Sequence, residues 1–293
     1  MLPYTDVIFE KKGPIAYITL NRPDKLNALD PRPGKILEQW AQACRQSRDD
    51  PEVKVLVIKG AGRCFSAGYD QSDPDRLSDQ AWELRDYLTG LDQLYQECLW
   101  DNPKATIAQV HSFCLAGGGH LACYCDITIA SDDALFGYPP VRYSSVGPAM
   151  LWPLLIGMKK AKEMLFTGNM MPAEEAHRLG LVNQVVPRKQ LDAEVTKLAK
   201  TIAKLPPMSV KLNKLAIQEF YEQMGIRNAL KYTGTLCSIS YSASPESIPG
   251  GLQDFARVTK EQGIRAAFGR MNTPFLEEDS VARSQMARPD RKP

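Results

Sequence analysis

Three consecutive glycines, Gly117, Gly118 and Gly119, stand directly before His120 in the sequence. Glycine has no Cβ, so its backbone can approach a bound group closely. The apolar residues that follow predict a helix running into Cys125, and the first turn of a helix presents unpaired N–H groups and a partial positive charge. Such a turn suits an oxygen atom on which negative charge develops. The turn alone is equally consistent with tight packing, and it matches neither the G-x-G-x-x-G pattern nor the Walker phosphate loop.

His120 follows Gly117 by three residues, which places both on one face of the predicted helix. The positive end of a helix disfavours an imidazolium, so we expect a neutral ring near pH 7 that could act as a general base or hydrogen-bond donor. A histidine that merely fills space remains the alternative. His111 and His177 lie where structural roles are expected.

These residues need a scaffold, and the chain alternates strand and helix patterns in its first half. A second small-residue loop, residues 64–70, follows a buried strand predicted over Val53–Gly60. Repeated β-then-α units followed by helices alone predict an α/β core over residues 1–200 and a helical region over 201–293. Further strands are predicted at 15–20, 104–110 and 127–130, and helices at 33–47, 79–98 and 159–167.

The composition is that of an ordinary globular protein, with 44% hydrophobic and 24% charged residues among 293. The net charge of +2 is spread along the chain, without the basic stripe typical of nucleic-acid binding. Seven cysteines suggest neither a disulfide framework nor paired metal ligands, so buried thiols and no metal are expected. The sequence contains neither a recognisable signal peptide nor a membrane-spanning run, which favours the cytoplasm.

Several segments together resemble the enoyl-CoA hydratase/isomerase (crotonase) superfamily. The resemblance implies a spiral of repeated ββα units, and a C-terminal helical region (about 206–241) that assembles trimers or dimers of trimers. It also implies an acyl-CoA thioester as substrate, with coenzyme A entering as part of it and no tightly bound cofactor. The matching segments, in order, are residues 21–29, 65–70, 116–127, 136–139, 176–183 and 260–263.

In this family two backbone N–H groups hold the thioester oxygen, and position by position they belong to Tyr69 and Gly117. Each donor of this kind stabilises a developing enolate by about 3–4 kcal/mol. The resemblance further places Lys25 and Lys260 near the phosphates of coenzyme A. The alternative, that both are solvated surface lysines, fits the sequence nearly as well. The remaining coenzyme-binding positions that it implies are Ala28, Ala67, Gly68 and Asp70.

The sequence departs from the hydratases of the family at both catalytic glutamates, which His120 and Pro140 replace. Proline cannot transfer a proton, so a second polar group is needed. Tyr143 is a candidate proton donor, and Arg142 could fix an anionic acyl group. A reaction through an enolate is favoured. A hydrolase of the same fold that cleaves a C–C bond in a β-dicarbonyl, and a non-catalytic acyl-CoA binding protein, are the alternatives.

Overall fold

A sheet of six strands lies at the centre of the part of the chain that the structure describes. The computed structural model describes residues 3–72, 81–146, 151–242, 250–275 and 279. The first two strands of this main sheet pair antiparallel, and the other four pairings are parallel. In spatial order the strands are β1 (Val7–Lys12), β2 (Ile15–Leu20), β3 (Val55–Gly60), β4 (Ala105–Val110), β6 (Ile127–Ser131) and β9 (Gln184–Val186).

Apolar layers cover both faces of the main sheet, which explains why its inner strands read as continuous apolar runs. Ile15 and Tyr17 face one layer, which helix α7 (Leu191–Ala203) completes. Ala16 and Ile18 face the opposite and larger core, together with helix α1 (Ile36–Asp49). The alternation of neighbouring residues between the two layers is the two-residue period of a strand.

A second, three-stranded sheet lies beside the first and leads into the glycine-rich turn. It consists of β5 (Phe113–Leu115), β7 (Leu135–Gly137) and β8 (Met171–Pro172). Strands β5 and β7 run parallel, and β8 pairs antiparallel with β7. Helix α3 (Gly117–Tyr124) begins two residues after β5 and is buried along its whole length.

Helices fill the rest of the described chain. Short 3-10 helices cover Pro23–Lys25, Pro139–Tyr143, Arg188–Gln190 and Thr273–Phe275, and a π-helical turn covers Gln96–Trp100. The remaining α-helices are α2 (Ala81–Tyr95), α4 (Leu151–Ile156), α5 (Met158–Thr167), α6 (Ala173–Leu179), α8 (Pro207–Gln223), α9 (Ile226–Ser242), α10 (Leu252–Gln262) and α11 (Ile264–Asn272).

Two contacts tie the C-terminal helices to the core. Gly234 of α9 lies so close to α2 that an added Cβ would come within 3.1 Å of the Thr89 hydroxyl oxygen. Lys214 of α8 is buried, and its ammonium donates to the carbonyl of Leu99 (2.8 Å) and to the carboxylate of Asp126 (2.9 Å). Asp126 lies two residues after the end of α3, so α8 is bonded to the segment that follows the helix with the glycine-rich turn.

The predicted fold class is confirmed, and the strand over residues 15–20 has the predicted bounds. Three short strands after residue 130, namely β7, β8 and β9, were not expected, since the sequence predicted helices alone. The division into domains at residue 200 stays a prediction; α7 spans that position. All seven cysteines are free, and six of them are buried. No helix among the described residues is long and apolar enough to cross a bilayer.

Candidate active site

The loop after β3 and the turn before α3 are joined by backbone hydrogen bonds. The Ser66 N–H donates to the carbonyl of Phe113, and the Leu115 N–H donates to the carbonyl of Ser66, both at 3.0 Å. On its other side the loop pairs with Leu29, which donates to Gly68 and accepts from Asp70. These bonds fix the positions of both loops relative to each other.

The N–H groups of Tyr69 and Gly117 are left without acceptors. Because the Gly68 carbonyl and the Asp70 N–H both point towards Leu29, the N–H of Tyr69 between them points away from that pairing. Gly117 is the first residue of α3, where a helix has no internal acceptor to offer. Within the described residues, neither N–H has a hydrogen-bond partner. Two unpaired donors therefore border the junction of the two loops.

Close contact at this junction requires glycine on both sides. Gly68 has a φ of +103°, and a Cβ built on it would lie 2.8 Å from the Ala116 Cβ and 3.3 Å from the Gly117 nitrogen. A Cβ built on Gly117 would lie 2.9 Å from the Tyr69 ring. The distances of 2.8 Å and 2.9 Å are shorter than real Cβ contacts, so a side chain at Gly68 would displace Ala116, and one at Gly117 would displace the Tyr69 ring.

Ala116 holds a strained backbone conformation immediately before α3, with φ +48° and ψ −119°. Positive φ in a non-glycine residue costs about 1–3 kcal/mol and persists where the surroundings enforce it. The Ala116 N–H donates to the Gly137 carbonyl at 2.9 Å, and its carbonyl accepts from the His120 N–H at 3.0 Å. The second sheet and the first turn of α3 thus hold the strained residue and aim the Gly117 N–H.

A largely apolar cavity of about 480 Å³ opens beside this junction. Tyr143 contributes to its wall and stacks on Phe255, with ring centroids 4.7 Å apart. Pro140 also lines the cavity. Its lining includes Leu26, Ala67, Tyr69, Gln71, Phe113, Leu115, Ala116, Tyr138, Pro139, Pro140, Arg142, Tyr143, Ser145, Met170, Tyr241, Phe268, Gly269, Asn272 and Thr273.

Arg142 reaches the cavity wall while its guanidinium binds protein groups. It donates to the carbonyl of Thr167 (3.2 Å) and the amide oxygen of Asn169 (3.0 Å), and it pairs with Asp279 at 3.0 Å. Both side chains of that ion pair are buried. The guanidinium also lies over the ring of Phe275 at 4.9 Å. These contacts attach the last described residues to the cavity wall, and the expected role towards an anionic acyl group stays a prediction.

His120 lies deeper than the cavity surface. Its ring stacks on Tyr138, with centroids 5.7 Å apart and planes at 22°, and it is not among the residues that line the cavity. Burial lowers the pKa of His120 to about 3, so the ring is neutral. Both ring nitrogens are buried, and no described residue bonds to them. Tyr138 therefore separates the unpaired imidazole from the cavity.

The coenzyme-binding residues implied by the resemblance lie around the first loop, Lys260 excepted. Burial acts to raise the pKa of Asp70, but hydrogen bonds from Ser72 and the Arg22 guanidinium (2.8 Å) outweigh it and lower the pKa to about 2. Lys25 is exposed, with its ammonium 3.9 Å from the Asp70 carboxylate. The Ala28 carbonyl accepts a hydrogen bond from Arg22 (2.6 Å). Lys260 lies exposed on α10, away from this loop in sequence.

Asp92 is a site residue that the sequence analysis missed. It lies on α2, is 4% exposed, and borders a small compartment of about 40 Å³. Burial raises the pKa of Asp92 to about 8. Tyr69, Tyr138 and Tyr241 line both the compartment and the large cavity. A lone carboxylate in a polar helical stretch gave no signal in the sequence, because only the packing of α9 against α2 buries it.

Two connected loops with unpaired N–H donors beside an apolar cavity have a geometry suited to a polarised carbonyl oxygen. The family model described as enoyl-CoA hydratase/isomerase matches residues 10–260. The chain therefore belongs to the enoyl-CoA hydratase/isomerase family.

Individual relatives agree with this assignment over most of their length. The crotonyl-CoA hydratase of Syntrophomonas wolfei is 36% identical over 281 residues, which cover 94% of this chain and 100% of the relative. The short-chain-enoyl-CoA hydratase of Clostridium acetobutylicum is 36% identical over 72% of this chain and 80% of its own. The crystal structure of an enoyl-CoA hydratase/isomerase from Xanthobacter autotrophicus superposes with a TM-score of 0.84, at 34% identity over 93% of this chain and 99% of that one.

Proposed function

We propose that this protein binds an acyl-CoA thioester and converts it through an enolate, with the thioester oxygen held by the N–H groups of Tyr69 and Gly117. The observation that carries the proposal is that these two N–H groups have no acceptor among the described residues, while the loops that bear them are bonded together. Donors fixed in advance stabilise a charge as it develops without having to reorient. The apolar cavity beside them suits an acyl chain.

The residues at the two glutamate positions argue against simple hydration. Pro140 lines the cavity and offers no proton, and His120 is covered by the ring of Tyr138. Water delivery by two carboxylates is therefore not part of the proposal. Proton removal and return at the carbon next to the thioester requires one proton-transferring group, and this reaction is the one we assign.

His120 is the candidate for that group, because it follows Gly117 on α3 and both of its nitrogens are unpaired among the described residues. Its low pKa makes it a weak base, so its action requires an acidified α-carbon, which two oxyanion donors supply. It also requires the Tyr138 ring, which covers it, to move aside so that the imidazole reaches the substrate. Tyr143 and Arg142, on the cavity wall, are the second candidates for handling a proton or an acyl charge.

The test is deuterium exchange at the α-carbon of acyl-CoA thioesters in heavy water, followed by mass spectrometry. Tyr69→Pro removes the N–H donor, and Tyr69→Ala is its matched control because it removes the same side chain but retains that N–H. We expect exchange in Tyr69→Pro to be about 100-fold slower than in Tyr69→Ala. Circular dichroism checks that both variants fold.

Equal exchange rates in the two Tyr69 variants would overturn the assigned donor. Absence of exchange in the unaltered protein, with coenzyme A bound, would favour a non-catalytic acyl-CoA binding protein. Cleavage of a β-diketone without affinity for coenzyme A would favour the hydrolase. His120→Gln is expected to lower the exchange rate at least tenfold, whereas an unchanged rate would assign the ring to packing.

A further inference from the structure

We propose that Asp92 forms a polar recognition site for a neutral oxygen, a hydroxyl or a carbonyl, on the acyl group of the substrate. The inference rests on the proposed function, because it assigns a compartment that adjoins the same acyl-binding cavity. It narrows the substrate class from acyl-CoA thioesters in general to those whose acyl chain carries such an oxygen.

The position of Asp92 carries the first step of the argument. Its compartment shares three wall residues, Tyr69, Tyr138 and Tyr241, with the large cavity. Tyr69 also supplies the proposed oxyanion donor, so the compartment lies next to the place where the thioester would be held. A volume of about 40 Å³ exceeds the 10–15 Å³ that one water requires. It fits a hydroxyl or carbonyl group and is far too small for a nucleotide.

The lack of partners carries the second step. Asp92 is 4% exposed, and no described residue donates a hydrogen bond to its carboxyl or forms an ion pair with it. Three polar neighbours are bonded elsewhere: the Thr233 hydroxyl donates to the Ala229 carbonyl, and the hydroxyls of Tyr138 and Tyr241 both bond with Ser145. A buried carboxyl without partners is unfavourable, and a ligand oxygen that bonds to it would remove that cost.

The surroundings of Asp92 decide the charge of the group that it would recognise. The carboxyl is surrounded by the apolar side chains of Leu88 and Leu91 and by the closely packed α9. Among the described residues that line the two cavities, there is no other acidic side chain and no lysine. A carboxyl in such surroundings favours its protonated form, in agreement with its raised pKa. Protonated, it can both donate and accept a hydrogen bond, which matches a hydroxyl or a carbonyl and not a second carboxylate.

Calorimetric titration tests this proposal without depending on turnover. The probes are butanoyl-, hexanoyl- and octanoyl-CoA, each beside its ω-hydroxy and ω-carboxy counterpart. The variants are Asp92→Leu and Asp92→Asn, and Asp86→Asn, which alters an exposed carboxylate on the same helix, is the control. We expect that, at one chain length, the affinity for the ω-hydroxy thioester exceeds the affinity for the unsubstituted thioester by about tenfold or more. Asp92→Leu should abolish that preference, and Asp92→Asn should retain part of it.

Equal affinities for the hydroxylated and unsubstituted thioesters at every chain length would overturn the proposal, as would a preference that survives in Asp92→Leu. Tighter binding of the ω-carboxy thioester would overturn the assignment to a neutral oxygen. Failure of all thioesters and of free coenzyme A to bind would instead refute the proposed function, so the two failures are distinguishable. If Asp92→Asn lost α-carbon exchange equally on all thioesters while their affinities stayed unchanged, Asp92 would have a catalytic role and not the proposed recognition role.

Discussion

The ring of Tyr69 lies against the Cα of Gly117, so closely that a Cβ on Gly117 would meet the ring at 2.9 Å. The two residues proposed to donate to the thioester oxygen are therefore in direct contact, and the side chain of one excludes any side chain from the other.

Gly117→Ala is expected to push the Tyr69 ring aside and to slow α-carbon exchange at least tenfold. Overpacking of this kind costs about 1–3 kcal/mol. In a Tyr69→Ala background the same substitution meets open space, so its effect should be much smaller. Exchange rates of the two single variants and the double variant measure this coupling. Additive effects would contradict the steric explanation.

His120 makes the stability of the fold depend on pH in the acidic range. The unfolded ring has a pKa of 6.5, whereas burial lowers the pKa in the folded protein to about 3. Below pH 6.5 the unfolded state takes up a proton that the folded state does not, so stability falls as the pH falls from about 6.5 to 3. The loss is about 1.4 kcal/mol per pH unit at most.

Urea unfolding at a series of pH values measures this slope, and His120→Gln should reduce it between about pH 6.5 and 3 by the contribution of one proton; other groups with a lowered pKa, such as Asp70, keep their own share. His177→Gln, which alters an exposed histidine, is the control and should leave the slope in place. A slope in His120→Gln equal to that of the unaltered protein would show that folding does not lower the pKa of the ring.

Asp92 is expected to make the stability of the fold decrease as the pH rises, which is the opposite of the effect of His120. Its pKa rises from 3.8 to about 8 on folding, so the unfolded state loses a proton that the folded state retains. Stability therefore decreases as the pH rises from about 4 to 8, by at most about 1.4 kcal/mol per unit. The titratable groups that surround it, on α2, α3, α9 and the site loops, are Tyr69, Tyr87, Tyr95, Tyr124, Tyr138, Tyr241 and Cys237.

Asp92→Asn should flatten this decrease and raise the free energy of unfolding at pH 7, as measured by urea titration. Asp86→Asn should leave both unchanged. If Asp92→Asn destabilises the protein at pH 7, the carboxyl has a partner that its buried position alone does not reveal.

The ion pair between Arg142 and Asp279 is expected to hold the last described residues against the cavity wall. Its side chains are 4% and 1% exposed, and removal of one charge from a buried pair costs about 3–5 kcal/mol. Arg142→Met and Asp279→Asn should each lower the free energy of unfolding by amounts of this order, and the double variant by less than their sum. Arg85→Met, at an exposed pair, should change it by less than about 1 kcal/mol.

The apolar surface of α8 supports a further proposal, that the protein assembles as a trimer or a dimer of trimers. Large apolar side chains are exposed along this helix, including Leu212 at 55% and Phe220 at 63%. Light scattering after size exclusion should give a trimeric or hexameric mass for the unaltered protein, and a smaller mass for Leu212→Glu or Phe220→Glu. Lys211→Glu, which adds a negative charge beside Leu212, is the control. A monomeric mass for the unaltered protein would refute the proposal.

Local patterns in the sequence predicted the strands whose whole length is buried, such as Ile15–Leu20, because both faces require apolar residues. They did not predict Gln184–Val186, since three residues at the edge of a sheet have no measurable period. The positions of Tyr69 and Gly117 followed from the resemblance, whereas the cover of Tyr138 over His120 depends on side-chain packing between elements that the sequence does not specify. Asp92 becomes distinctive only through its burial, to which residues distant in the sequence contribute, such as Tyr69, Tyr138 and Gly234.

Tyr69 contributes different atoms to different tasks: its backbone nitrogen faces the proposed thioester site, and its ring forms a wall of the acyl cavity and of the compartment that holds Asp92. A substitution at this codon changes the shape of the space available to the substrate but leaves the donor intact, unless it introduces proline. Selectivity can therefore diverge among descendants of such a protein by single mutations at position 69, while the proposed thioester-polarising donor is inherited unaltered through the main chain.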